Sequence, residues 1–166
     1  LFALNHHIDS DHKKQNLFNI SIDSFRKYME VNVTALFSVC RSYARHNEKG
    51  SIVNFSSTYG IVSPRKDMYV NEEKHIGYSV SKSAVTMLGK HLATHLAPNF
   101  RINTIIPGGV YNNQSTSFVD KYTKNTPMNR MMDVGEINGA VDFLISEKSS
   151  YITGSELKVD GGWTAW

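Results

Sequence analysis

Apolar residues recur along this chain at two different spacings, and the spacing assigns the elements. In 21–46, Phe25, Met29, Val33, Leu36, Phe37 and Cys40 fall at helical intervals behind a Ser or Asp start signal, and Gly50 follows. A second helix is predicted from about 77 to 97, where Pro98 stops it. The runs "SIVNFSS" (51–57), "FRINTIIP" (100–107) and "ELKVD" (156–160) read as strands rich in β-branched and aromatic residues. "LFALNHHI" (1–8) reads as a short buried strand leading into a polar loop. A short helix is predicted over 115–124 and an amphipathic one over 133–147. The order is β-α-β-α-β-α-β with apolar strands, which argues for an α/β fold: a doubly wound parallel sheet of about four strands with helices on both faces. The chain is expected to form one domain over 1–166.

In such sheets ligands sit outside the carboxyl ends of the strands. Those ends read "NHH", "FSSTYG", "PGGV" and "DGG". Small residues there are expected to let a ligand approach the backbone closely.

Composition narrows the function classes without choosing one. Apolar residues make up 40% and charged residues 20%, ordinary for a globular protein. The formal charge of +3 is scattered, and the densest basic cluster, "HKK" at 12–14, is too short to predict a nucleic-acid or membrane-surface partner. No apolar run approaches the roughly 20 residues a membrane span needs. Cys40 is the only cysteine, so no disulfide forms within the chain, and a reducing compartment, the cytoplasm, is expected. Cys40 lies on an apolar helical stripe and is expected in the core. The chain opens in "LFAL" without Met, which reads as a fragment.

The chemistry concentrates in "GYSVSKSAVTMLGKHLATHLA" (77–97). Tyr78 and Lys82 stand at i and i+4, so both project from one helix face. An ammonium beside a phenol favours the phenolate, which is expected to bring the Tyr78 pKa from about 10 toward neutrality. Such a tyrosine can give a proton to a carbonyl oxygen or take one from an alcohol. Ser57, at the end of the preceding strand, is expected to face the helix start and hydrogen-bond the same oxygen. Asn32 sits mid-helix, where Asn is not favoured, and calls for a partner, such as a water leading toward Lys82.

These residues carry a resemblance. "EVNVTALF" (30–37), "GSIVNFSS" (50–57), "YSVSKSA" (78–84), "RINTIIPGGV" (101–110) and "YITGSELKVDGG" (151–162) resemble, in order, the motifs of the short-chain dehydrogenases/reductases. The resemblance implies the C-terminal part of a Rossmann-type sheet. It also implies an enzyme moving hydride between NAD or NADP and a small-molecule alcohol or carbonyl. It makes Tyr78 the general acid/base, Ser57 the group polarising the carbonyl, and Lys82 the residue that lowers the Tyr78 pKa and holds the nicotinamide ribose. Asn32 becomes the anchor of a relay water. Asn5, Pro107, Gly108, Val110 and Asn112 are then expected to touch the cofactor, and Thr58, Tyr59, Gly109 and Phe118 the substrate. A homodimer or homotetramer is implied for the full-length protein. "PGGVYNNQSTSFVDKYTKNTPMNRM" (107–131) and "DGGWTAW" narrow the resemblance to dehydrogenases of bacterial surface-polysaccharide, sialic-acid-like and nucleotide-sugar pathways.

The departures are as informative. His6 and His7 replace two residues of the family's Asn-Asn-Ala-Gly strand end, and Asn112 stands where many members have Thr. Ser57 and Tyr78 are 21 residues apart, and the extra stretch "RKDMYVNEEKH" (65–75) is expected to hang over the substrate side. No glycine-rich pyrophosphate loop occurs, nor the residue that selects NAD or NADP, so both stay open. About 60–90 residues, two to three strand-helix units, are expected to precede the chain. Alone it is expected to bind cofactor poorly and to be inactive.

Other groups point elsewhere more weakly. His6, His7 and His12 with Asp9 and Asp11 meet no metal-ligand spacing, so no metal is expected. Phe118 and Tyr122, at i and i+4, fit either a substrate lid or ordinary packing. Two rival functions remain: a catalytically silent binding or assembly module on the same scaffold, and an epimerase or dehydratase. Ser57, Tyr78 and Lys82 together argue against the first, and the ending at "DGGWTAW" against the second.

Overall fold

A computed structural model describes residues 3–5, 16–69 and 73–166. The elements are α1 (Ile22–Met29), α2 (Ala35–His46), β1 (Gly50–Phe55), α3 (Ile76–Leu96), β2 (Phe100–Pro107), α4 (Thr116–Lys124), α5 (Asn138–Ile145) and β3 (Glu156–Val159). Among the described residues the strands form one parallel sheet in the order β1-β2-β3. The register pairs Ile52 with Ile102 and Ile105 with Leu157.

The alternation of β2 shows why helices cover both faces. Ile102 packs with Cys40, Leu92, Ala93 and Phe100, the cluster formed with α2 and α3. Arg101, pointing the other way, donates to the carbonyls of Leu144 (3.0 Å) and Ser146 (3.1 Å) at the end of α5. Ser51 on β1 donates to the same Leu144 carbonyl at 3.0 Å. Ile102, Ile105 and Ile106 are fully buried, each contributing about 1.5–3 kcal/mol of apolar burial. Cys40 lies in this core, where burial pushes its thiol pKa up.

Two expectations change. The predicted helix 21–46 is broken by a π-helical turn, Glu30–Thr34, between α1 and α2. Such turns interrupt α-helices where a tertiary contact demands it, and here Asn32 in the turn makes that contact. The predicted strand 1–8 is not seen at residues 3–5, and the rest of it lies outside the described residues. In its place the backbone of Leu4 is clipped by Asn32: Leu4 N–H donates to Asn32 Oδ1 (2.6 Å), and Asn32 Nδ2 donates to the Leu4 carbonyl (3.0 Å). The sheet therefore has three strands rather than four among the described residues.

Candidate active site

The carboxyl end of β1 and the start of α3 are sewn together by short polar side chains. Ser56 Oγ donates to the Lys82 carbonyl at 2.7 Å, and Thr86 Oγ1 donates to Ser56 Oγ at 3.0 Å. Gly60, in the 3-10 turn Thr58–Gly60, lies flat on α3: a β-carbon there would stand 2.9 Å from the Lys82 carbonyl carbon. The turn is capped by Ser57, whose Oγ accepts from Tyr59 N–H at 3.2 Å. The clasp holds the segment with Ser57 and the buried Thr58 against α3 at Lys82 and Thr86.

The N-terminus of that helix is held by His75, in the stretch expected to hang over the substrate side. The ring is buried, and its Nδ1 accepts from Gly77 N–H at 3.0 Å. Nε2 lies 2.8 Å from Ser24 Oγ, and the ring stacks on Tyr28 at 4.4 Å. With Nδ1 accepting, the neutral tautomer places its proton on Nε2, facing Ser24. A side-chain acceptor before the first turn is the ordinary N-cap device; here it also docks α3 on α1. The sequence signal was a polar ring directly before the helix.

Tyr78 and Lys82 follow on one face. Lys82 is buried at 5% exposure and donates to the Phe55 carbonyl at 2.9 Å, with its ammonium 5.9 Å from the Tyr78 ring centre. Burial lowers its pKa to about 8. Burial also pushes the Tyr78 phenol up, and hydrogen bonding from Ser57 pulls the other way. The expected downward shift of Tyr78 is thus reversed. The ammonium is turned to a carbonyl of β1, and desolvation outweighs its pull.

A pH dependence of stability follows from Lys82. Its folded pKa of about 8 lies below the value of 10.5 for an unperturbed lysine. Between the two, the unfolded chain holds more protons, so the free energy of unfolding rises with pH. Lys74, also lowered to about 8, acts in the same direction. Raised acids act oppositely, the Cys40 thiol from about its ordinary value of 9.0 and Tyr78 from 10.0. Urea midpoints are expected to climb from pH 8 to 9, and Lys82→Met to flatten the climb by on the order of 1 kcal/mol. An unchanged slope in the variant would contradict this.

Asn32 is brought to the site, though not as expected. Its Nδ2 donates to Ser81 Oγ at 2.9 Å, and Ser81 donates to the Tyr78 carbonyl at 2.9 Å. The side chain thus links Leu4 to the first turn of α3 through Ser81. At the end of β2, the glycines answer to packing. A β-carbon on Gly108 would stand 2.9 Å from Asp160 Cα, and one on Gly109 2.8 Å from the Tyr122 ring. Gly109 N–H already donates to Tyr122 Oη at 2.5 Å. The protein's own chain makes a close approach at both glycines. Pro107 pairs with Val159, Val110 bridges to Met132, and Asn112 lies exposed with its N–H on Gln114 Oε1 (2.7 Å). Asp160 caps the last turn, accepting from Gly162 N–H (2.9 Å) and Thr164 N–H (3.0 Å).

A cavity of about 780 Å³ opens beside this cluster, lined by Tyr59, Tyr69, Lys74, Ser79 and Val80 among others. Arg65, also on its wall, is held by Asp67 and Asn125. Tyr69 Oη donates to Tyr59 Oη at 3.2 Å. Residues of the long Ser57–Tyr78 connection therefore form one wall, while residues 70–72 lie outside the described set. Phe118 packs between Tyr69 (5.8 Å) and Tyr122 (6.0 Å), and Trp163 stacks on Tyr122 at 4.3 Å. Phe118 is thus a packing residue in this arrangement. His6, His7, Asp9, Asp11 and His12 lie outside the described residues; among the described ones no three metal-ligating side chains cluster. No helix of the described residues is long and apolar enough to cross a membrane.

A parallel sheet flanked by helices, with polar side chains gathered past its strands' carboxyl ends, defines a Rossmann-like α/β protein. A family model described as enoyl-(acyl carrier protein) reductase matches residues 3–164, and the chain belongs to the short-chain dehydrogenase/reductase family. It is 38% identical over 117 residues to post-translational flagellin modification protein A of Campylobacter coli, covering 69% of this chain and 46% of that protein. A short-chain dehydrogenase of Leptospira borgpetersenii with bound NAD+ superposes with a TM-score of 0.87 at 30% identity, covering 98% of this chain and 62% of that one. A gluconate 5-dehydrogenase of Burkholderia cenocepacia in complex with NADP and tartrate gives a TM-score of 0.85 at 26% identity, covering 99% and 63%. The chain spans about half the length of the curated relatives it matches, from 46% to 60%.

Proposed function

We propose that the chain is the catalytic portion, a single partial domain, of an NAD- or NADP-dependent oxidoreductase interconverting an alcohol and a carbonyl. The observation that carries this reading is the convergence of Ser57, Tyr78 and Lys82 where β1 meets α3, held by the Ser56–Lys82 clasp. Membership of a family with NAD+- and NADP-bound relatives supports it. The nicotinamide supplies or accepts the hydride when bound. The residues present fit its ribose end: the buried Lys82 ammonium has one acceptor, Phe55, and keeps donors for hydroxyl groups. Nothing in the sequence fits the pyrophosphate end, since no glycine-rich turn occurs. We therefore propose weak cofactor binding and no turnover for this chain by itself, and activity for a longer protein that carries the turn.

Tyr78 gives its proton to the carbonyl oxygen in reduction and takes it back in oxidation. Ser57 donates a hydrogen bond to the same oxygen and fixes its position. Asn32 holds the first turn of α3 through Ser81. The cofactor-contact roles of Asn5, Pro107, Gly108, Val110 and Asn112, and substrate contact by Thr58, Tyr59 and Gly109, belong to this proposal. So do a homodimeric or homotetrameric state and a cytoplasmic location. The similarity to a flagellin modification protein supports a sugar or nucleotide-sugar-related substrate. The test, in a protein that joins this chain to a glycine-rich turn, is label transfer from a reduced nicotinamide carrying two deuterons at C4 to a panel of keto sugars, cyclic ketones and keto acids. Deuterium on the product carbinol carbon is expected. Tight cofactor binding with no label transferred to any of them would favour the silent module instead.

A further inference from the structure

The oxidoreductase reading leaves one charged group unused. Lys74 stands four residues before Tyr78, just outside α3, and its ammonium lies 4.2 Å from the centre of the Tyr78 ring. It is half-buried, and its hydrogen-bond acceptors among the described residues are the Asn5 carbonyl (2.8 Å) and Asn5 Oδ1 (2.5 Å). Both acceptors are neutral, and Lys74 makes no ion pair with any described residue. Burial shows in its pKa, lowered to about 8. The contrast with its neighbours is clear. Arg65 on the same wall already holds Asp67 (2.9 Å), and Lys82 faces inward to the Phe55 carbonyl. A half-buried ammonium is expensive unless paired, and this one lines the 780 Å³ cavity.

The geometry points to Lys74 as the subsite for an anionic group, a carboxylate or phosphate, carried by the substrate that fills this cavity. With the ammonium 4.2 Å from the centre of the Tyr78 ring, an anion held by it brings a reacting carbonyl a few bonds away toward the phenol. The cation over the ring face also holds the ring in place. The substrate class is then a hydroxy or keto compound bearing a negative charge. This inference rests on the oxidoreductase reading for the word substrate; the anion site itself does not require turnover.

The test uses malonate as the anion and malonamide as its uncharged isostere, with protein labelled at lysine Cε and followed by NMR. Lys74→Gln assigns the resonance. Malonate is expected to shift the Lys74 resonance saturably and to raise its titration midpoint, while malonamide leaves it unmoved. Lys74→Arg should keep malonate binding, and Lys74→Gln should weaken it about tenfold or more. Malonate that leaves the Lys74 resonance unmoved, or binds Lys74→Gln as well as the parent, overturns the proposal. So does weaker binding of NADH or NADPH to Lys74→Gln with malonate binding intact, which would give the anion to the cofactor's phosphates. If Lys74→Gln does not fold, disappearance of the resonance from Lys74→Arg assigns it, and its shift in the parent with malonate but not malonamide still decides. Label transfer failing while malonate binds would sink the oxidoreductase reading and leave the anion site standing.

Discussion

Tyr78→Phe in the protein that carries both cofactor halves is expected to lower turnover by about 10²–10⁴-fold, with melting temperature and cofactor affinity close to the parent's. Phe keeps the ring that Lys74 covers at 4.2 Å and the packing of α3's first turn, and removes only the hydroxyl. Ser57 cannot take over, because an aliphatic hydroxyl is far too weak an acid. The pH profile follows from the raised phenol. With its pKa above the ordinary tyrosine value, Tyr78 stays protonated through neutral pH, so carbonyl reduction has its proton donor there. Alcohol oxidation needs the phenolate, so its rate is expected to climb with pH through the neutral range, about tenfold per unit. Steady-state kinetics in both directions reads this. A Tyr78→Phe variant with parental turnover removes the tyrosine from the chemistry.

Gly60→Val is expected to damage both stability and activity. A β-carbon at Gly60 would lie 2.6 Å from Ser56 Oγ, 2.9 Å from the Lys82 carbonyl carbon and 3.0 Å from its oxygen. Two of these atoms are helix backbone and cannot swing away. The turn carrying Ser57 must lift from α3, which breaks the Ser56–Lys82 hydrogen bond of 2.7 Å. Overpacking of this kind costs about 1–3 kcal/mol, and a displacement of about 1 Å at a reacting group can cost about 10²-fold in rate. Gly60→Ala should show the same effects in smaller measure. Chemical denaturation and turnover measured on both variants check the pair together. A stable, fully active Gly60→Val would mean that the turn does not set the position of Ser57.

What the sequence revealed and what it hid divide along a physical line. β2 falls at 100–107 and α3 within a residue of its predicted start and end. These segments owe their form to local periodicity and to stops such as Pro98, which any reader of the chain can see. Ser57, Tyr78 and Lys82 were legible as well, because a strand end and a helix start at known spacing bring them together. The π turn at Glu30–Thr34 was not, since it depends on Asn32 meeting Leu4 and Ser81 across 28 and 49 residues. The same holds for His75, whose capping role needs Ser24 and Tyr28 from α1. Gly108 and Gly109 were visible as small residues, but the packing of Asp160 and Tyr122 against them depends on distant parts of the chain. The sign of the Tyr78 shift failed for a similar reason. Spacing says that an ammonium is near, but only the fold says that it is turned to Phe55 and that both groups are buried.

The central claim is hydride transfer at a site built by Ser57, Tyr78 and Lys82. Mass spectrometry of the product after reaction with NADH or NADPH carrying two deuterons at C4 tests it most directly, run on a protein that joins this chain to a glycine-rich turn, with Tyr78→Phe in parallel. The account predicts one deuterium on the carbinol carbon of the product, formed at a rate that collapses in the variant. Product without deuterium, or deuterium delivered equally fast by Tyr78→Phe, would contradict it.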